Sequence, residues 1–340
     1  MNFLTKIEKL KLYKDALINM GYIVGKKNLS PPIIIWFMSK RCNLSCIHCD
    51  FHQSRDKIDP DKLMKLAQEI AKSNTMVVDF TGGEPFIIPN IREIISHLKN
   101  NGKKLMLNTN GYKLIKHADF LIKMKVDSIT VSIDSSIAEE HDAIRGKKGS
   151  FEEALEFLKY IKKNRGKSAL PYIAIRGVVM KDNFKVIKDY QNKFGDIVDE
   201  IKFQPIHDSD DFNKVVSKET LFCENDVLLE EEFNREFTAF IKKEFVFNNS
   251  YYRNFSKFIF HPKKMETKSL NHCLPIWMNV MIVNDSGVCQ TCTYNIGNLY
   301  EQEVQEVWSG EKRIGFLRSI AKFGKCKIPC WMNCTSVAPE

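Results

Sequence analysis

No apolar stretch in this 340-residue chain approaches the ~20 residues needed to cross a bilayer as a helix, so no membrane span is expected. A secretory signal is not expected either, and in a lysine-rich chain this argues against a disulfide framework and for a cytoplasmic protein. Internal repeats and low-complexity linkers are absent, and the length suits a main domain plus a smaller one. A basic block is missing too. The 51 Lys and Arg against 42 Asp and Glu give a net charge of +9, but they are scattered through helical segments such as Leu158 to Arg165. That pattern reads as a solvated face, which makes nucleic acid an unlikely partner and leaves an acidic small molecule or peptide compatible as substrate.

What the chain does have is ten cysteines among 44% apolar residues. Outside a disulfide setting, that number argues for metal or redox chemistry. Three of them, Cys42, Cys46 and Cys49, form a C-x3-C-x2-C loop directly after the apolar run Ile33 to Met38. A [4Fe-4S] cluster takes four thiolates, so a loop offering three leaves one iron open to a ligand that is not protein. A zinc site or inert thiols are the plainer readings, but zinc ligands usually come as C-x2-C pairs with a partner pair nearby. No such pair follows within the next hundred residues. A second motif, Thr81-Gly82-Gly83-Glu84-Pro85, ends the predicted strand Met76 to Phe80. Its glycines allow close backbone approach to a ligand, and its carboxylate can accept hydrogen bonds from an ammonium group.

The two motifs together, one strand and one helix apart, resemble the radical S-adenosylmethionine (SAM) superfamily. The resemblance implies that Cys42, Cys46 and Cys49 hold a [4Fe-4S] cluster whose open iron binds the amino and carboxylate groups of SAM. One electron from the cluster would then split SAM into methionine and a 5'-deoxyadenosyl radical. It implies that Gly82, Gly83 and Glu84 hold the SAM amino group, that Asn110 or its neighbours meet the ribose, and that Ser132 lies near the methionine carboxylate. Arg145, within His141 to Gly146, resembles the arginine of a segment recurring in the peptide-modifying branch, where a guanidinium can pair with that carboxylate through two parallel bonds. Gln204 is a candidate for the adenine side, with surface or core roles as the alternatives. His48 departs from the family, which usually places an aromatic residue before the third cysteine; its backbone can still border adenine.

Strands and helices alternate from Pro31 onward. The predicted strands are 33–38, 76–80, 104–108, 128–133, 172–180 and 200–204; the predicted helices are 61–72, 91–100, 114–124, 151–163 and 183–193. The expected fold is α/β, a partial (β/α)6 TIM-type barrel with its functional groups at the carboxyl ends of the strands, followed by a small C-terminal iron-sulfur domain. The expected divisions are an N-terminal helix over 1–30, the core over 31–206, a linker and covering helix over 207–265, and an auxiliary domain over 266–340. Tyr251 to Phe260 is rich in aromatics and is expected to pack against the barrel or to floor a pocket.

The last third holds Cys273, Cys289, Cys292, Cys326, Cys330 and Cys334. Cys273-x13-Gly287-x4-Cys292 resembles the opening of the SPASM or twitch domain, with Asp285-Ser286-Gly287 as a hairpin turn. The ending C-x3-C-x3-C departs from the full SPASM pattern. Six thiolates fall short of the eight that two clusters need, so one auxiliary [4Fe-4S] cluster is expected. Its ligands would be Cys273 and Cys292 with two of Cys326, Cys330 and Cys334, while Cys289 stays open as ligand or bystander. Structural zinc is the alternative occupant. By the resemblance, the expected function is hydrogen-atom abstraction in peptide modification, with a reductant such as flavodoxin or ferredoxin. The alternatives are dehydrogenation or rearrangement of a sugar or aminocyclitol, or an iron-sulfur electron-transfer protein without radical chemistry. An epimerase would need a hydrogen donor, for which Cys223 and Cys289 are the spare candidates.

Overall fold

The computed structural model describes residues 30–206, 226–241, 255–261, 280–292 and 294–323. The predicted helix over Phe3 to Met20, most of the acidic segment after His207, and Cys223, Cys273, Cys326, Cys330 and Cys334 lie outside the described residues. Six strands follow the predicted order: β1 Ile33–Phe37, β2 Val77–Thr81, β3 Lys104–Thr109, β4 Ser128–Ser132, β5 Tyr172–Val179 and β6 Glu200–Pro205. Three more come later: β7 Val280–Asn284, β8 Val288–Thr291 and β9 Tyr294–Asn298. The helices are α1 Pro60–Lys72, α2 Ile91–Asn100, α3 Ala118–Lys123, α4 Ala138–Arg145, α5 Ser150–Asn164, α6 Tyr190–Phe194, α7 Val227–Ile241, α8 Phe255–Phe260, α9 Val304–Ser309 and α10 Glu311–Phe323.

These elements fall into two compact units. The first takes its described residues from 30–40, 56–107 and 280–323, and its strand order is β3-β2-β1-β7-β8-β9. β1 runs parallel to both β2 and β7, while β7, β8 and β9 form an antiparallel meander. Trp36 and Phe80 are fully buried and meet edge to face at 5.6 Å. α1 begins where Asp59 accepts the Lys62 N–H at 3.0 Å and Pro60 occupies the first helical position, a favoured start because proline lacks an N–H to satisfy. Leu63, Leu66, Ala67 and Ile70 then bury one face.

The second unit takes 41–55 together with 108–206, 226–241 and 255–261, and orders its strands β6-β5-β4, all parallel. Phe255 and Phe260 of the aromatic stripe are fully buried and ring Phe233 with Phe184 and Phe237. In the described residues, the stripe is packing. Two predicted helices are shorter than the periodicity implies. Residues 115–117 and 184–189 wind as 3-10 turns before α3 and α6. In the second case the three-residue period puts buried Phe184 and Tyr190 on one face, which an α-helical period would not do. α4 was not expected as a separate helix, since five of its eight residues are charged or polar and it carries little apolar period.

Candidate functional site

The cysteine loop lies in the second unit, fastened by the end of α4. Gly146 ends that helix in the left-handed region at φ +64°, and a Cβ there would stand 2.4 Å from both the Ser45 carbonyl and its hydroxyl. Only glycine fits both demands. The Ile47 N–H donates to the Ile144 carbonyl at 2.9 Å, and the Ser45 hydroxyl donates to the Gly146 carbonyl at 3.2 Å. Within the loop, the Cys49 N–H closes a turn on the Cys46 carbonyl at 3.1 Å. Cys46 is buried, while Cys42 and Cys49 are half-buried.

Two donors face these sulfurs. Asn110 Nδ2 stands 3.8 Å from Cys42 Sγ and donates to Asn43 Oδ1 at 2.7 Å, while its Oδ1 accepts the Tyr112 N–H at 2.9 Å. Arg145 Nη1 stands 3.7 Å from Cys46 Sγ. Burial raises the thiols of Cys46 and Cys49, and for Cys46 the Arg145 guanidinium works against that rise. Thiol donors backed by a cation and an amide suit thiolate ligation. Among the described residues no three His, Cys, Asp or Glu side chains are grouped as a single metal ion requires. A cluster does not ask for that, because each thiolate meets a different iron.

Arg145 is itself held. Its Nε pairs with Asp134 Oδ2 at 2.7 Å, and both side chains are buried. Burial favours the neutral form of Asp134, but Arg145 beside it, together with the neighbouring imidazoles and the Val178 N–H, outweighs that effect and holds the carboxyl below the usual range. The same pair, with Cys46, lifts Arg145 above its ordinary value against the effect of its own burial. With Nε on Asp134 and Nη1 on Cys46, the guanidinium is already engaged on two of its nitrogens. His48 and His141 are kept neutral, each pushed down to about 4 by burial, and His48 Nδ1 is buried without a partner among the described residues.

Of the other predicted residues in this unit, Ser132 ends β4 opposite Arg176 and is half-buried, and Gln204 lies on β6 opposite Val178. Asp134 is not among the residues that the sequence singles out. It becomes a site residue because its partner arrives eleven residues later on α4, a helix that periodicity did not reveal.

Gly82, Gly83 and Glu84 lie in the first unit. Gly82 has φ +111°, and a Cβ on it would come within 2.5 Å of the Ser39 carbonyl, which also accepts the Gly83 N–H at 2.7 Å. Glu84 is buried, and its Oε1 accepts the Phe86 N–H at 3.1 Å. Gly82 thus lets the turn pack directly on the Ser39 backbone, and the Glu84 carboxylate stands next to it.

In the same unit, Gly287 turns β7 into β8 at φ +75°, with Asn284 Oδ1 accepting from the Ser286 and Val288 N–H groups at 3.0 Å. Cys289 is fully buried on β8 between Val283 and Gly297, and its thiol donates to the Gly287 carbonyl at 3.5 Å. Burial pushes it up to about 12. Half-buried Cys292 follows β8 at φ +56°, where Asn or Gly is usual.

The cysteine loop, the glycine turn and the parallel strands are each features that comparison with known proteins can test. Residues 36–189 match the Radical SAM superfamily model, and the chain carries a radical SAM domain. It is 28% identical over 157 residues to the Fe-coproporphyrin III synthase of Methanosarcina barkeri, covering 44% of this chain and 39% of that one. It is 29% identical over 167 residues to the antilisterial bacteriocin subtilosin biosynthesis protein AlbA of Bacillus subtilis, covering 47% of this chain and 37% of that one. The matched segment therefore spans about two fifths of the length of these curated relatives. In fold, the chain is similar to Streptococcus suis SuiB bound to its precursor peptide SuiA. The TM-score is 0.64 at 14% identity, over 93% of this chain and 72% of SuiB. The family implies a [4Fe-4S] cluster and SAM. Among the described residues, no helix is long and apolar enough to cross a membrane.

Proposed function

We propose that this protein reductively cleaves SAM and abstracts a hydrogen atom from a peptide substrate, modifying it by oxidation, cross-linking or epimerisation. The observation that carries the radical chemistry is the three-cysteine loop fastened to α4 with a cation and an amide on its sulfurs. When bound, the cluster and SAM supply the electron and the 5'-deoxyadenosyl radical. Cys42, Cys46 and Cys49 are the cluster ligands in this reading. Gly82 and Gly83 let backbone approach the SAM amino group, and Glu84 supplies the carboxylate for it. His48 borders adenine, Asn110 braces the start of the cysteine loop near the ribose, Ser132 and Arg145 serve the methionine carboxylate, and Gln204 stands on the adenine side. A low-potential carrier such as flavodoxin or ferredoxin delivers the electron.

Peptide modification is supported by the bacteriocin-biosynthesis relative, and by a fold that extends past the radical SAM core through the β7–β9 meander. The same meander carries Cys292 in a strained turn position, an arrangement that favours a functional role for its sulfur. We assign it to one auxiliary [4Fe-4S] cluster with Cys273 and two of Cys326, Cys330 and Cys334. Cys289 is a bystander in this scheme. Its sulfur is enclosed and bonded to a carbonyl, which suits neither ligation nor hydrogen donation to a substrate.

The test of the substrate class is 5'-deoxyadenosine formation by the anaerobically reconstituted chain with SAM, reductant and size-fractionated extract from the source cells. Stimulation that protease treatment abolishes is the expected result. Stimulation by a small, protease-resistant fraction would instead make the substrate a metabolite such as a sugar, aminocyclitol or tetrapyrrole.

A further inference from the structure

The Asp134–Arg145 pair is built from two sides. On one, Asp134 Oδ1 accepts the Val178 N–H at 2.8 Å, and its carbonyl accepts from Asn183 Nδ2 at 2.7 Å. Asn183 in turn donates to the Val178 carbonyl at 2.8 Å and accepts the Met180 N–H at 2.7 Å. The carboxylate is thus fixed by the ends of β4 and β5. On the other side stands the guanidinium, with Asp134 on Nε and Cys46 Sγ near Nη1. His141 faces the pair through Nδ1, which accepts the Asp134 N–H at 3.2 Å. The guanidinium beside Cys46 and the carboxylate behind it are both out of water, where fields act with little screening.

A hydrogen-bond donor or cation at a ligand sulfur favours the more negative, reduced form of an iron-sulfur cluster. A carboxylate behind that cation weakens the effect without removing the donor. We propose that Asp134 and Arg145 form a charge-compensated pair that sets the reduction potential of the cluster held through Cys46, with Arg145 raising it and Asp134 tempering that rise. The proposal rests on Cys46 being a cluster ligand. Neither Asp134 nor Arg145 need touch iron; both act through the sulfur as positioning residues.

The experiment is an EPR-monitored redox titration of the full, anaerobically reconstituted chain without SAM, following the signal that Cys46→Ala abolishes. Asp134→Asn leaves a buried cation uncompensated, and the potential should rise by about tenfold in the reduction equilibrium, which is about 59 mV for one electron. Arg145→Gln removes the cation, and the potential should fall by a similar factor. The double variant should return towards wild type. A merely structural role would not move the two halves of the pair in opposite directions. Shifts of the same sign, or none, in variants that hold iron overturn the proposal alone. A wild-type chain with no signal that depends on Cys46 overturns the ligand reading beneath it and the proposal together. Where Asp134→Asn holds no iron, Arg145→Lys and Arg145→Gln carry the test: lysine keeps the charge and must stay nearer the wild-type potential, and equal shifts overturn the proposal.

Discussion

Cys46 and Cys289 are both buried cysteines, one in a loop and one on a strand, and burial raises the thiol of each. They differ in what faces the sulfur. Cys46 looks at the Arg145 guanidinium, itself balanced by Asp134, while Cys289 looks at the Gly287 carbonyl, an acceptor that holds the proton in place. Enclosure alone makes a thiol inert; enclosure with a cation at hand makes it a candidate ligand. Spacing in the sequence singles out both cysteines, and only the neighbours separate them.

The largest expected difference is in chemistry. Cys46→Ala should reduce SAM-dependent 5'-deoxyadenosine formation to background and lower iron bound per chain, whereas Cys289→Ala should leave both near wild type. Iron and sulfide analysis beside a deoxyadenosine assay reads the pair. Loss of iron in Cys289→Ala would make that residue a ligand and erase the distinction.

The two glycine turns sharpen the comparison further. Gly146 and Gly287 both have positive φ, and a Cβ on either would meet an oxygen at 2.4 or 2.5 Å. A left-handed alanine costs about 1–2 kcal/mol before any clash, so both Gly146→Ala and Gly287→Ala should lower Tm. Only Gly146→Ala is expected to reduce SAM-dependent turnover in protein that remains folded, because it pushes on Ser45 between two cluster ligands. Equal turnover losses would mean that the loop and the hairpin are not separable in function.

The smallest effect is a matter of sign with pH. Asp142 holds the stretch after Gly146 by accepting from Gly149, Ser150 and Phe151. Slight burial raises its carboxyl, and those bonds, led by the Phe151 N–H, outweigh it and leave it below the usual value. Its contribution is therefore complete above the ordinary carboxylate range near pH 4 and is lost as pH falls through the lowered folded value. Asp285 in the hairpin is raised by burial and then by Asp56, so its contribution runs the other way and weakens as pH rises from the ordinary value through the raised one. Asp142→Asn should lower Tm at pH 7 and Asp285→Asn should raise it slightly. Thermal melts from pH 3 to pH 7 would show whether the signs differ.

Sequence made the strand order legible because buried parallel strands such as Ile33–Phe37 and Val77–Thr81 are apolar runs bounded by turn residues. The cysteine loop and the glycine pair were legible because both are local. Asp134 was not, since its role depends on a contact with Arg145 across a turn and a helix of weak period. Cys289 could not be assigned from spacing, because a C-x2-C pair looks the same whether one sulfur is enclosed or not.

The most direct measurement of the central claim is 5'-deoxyadenosine released from SAM by the full chain after anaerobic cluster reconstitution and reduction, run beside Cys46→Ala. Wild type should release product and the variant none. Cluster-loaded, SAM-binding wild-type protein that releases none under any reductant or extract fraction would contradict it and leave an iron-sulfur protein without radical chemistry.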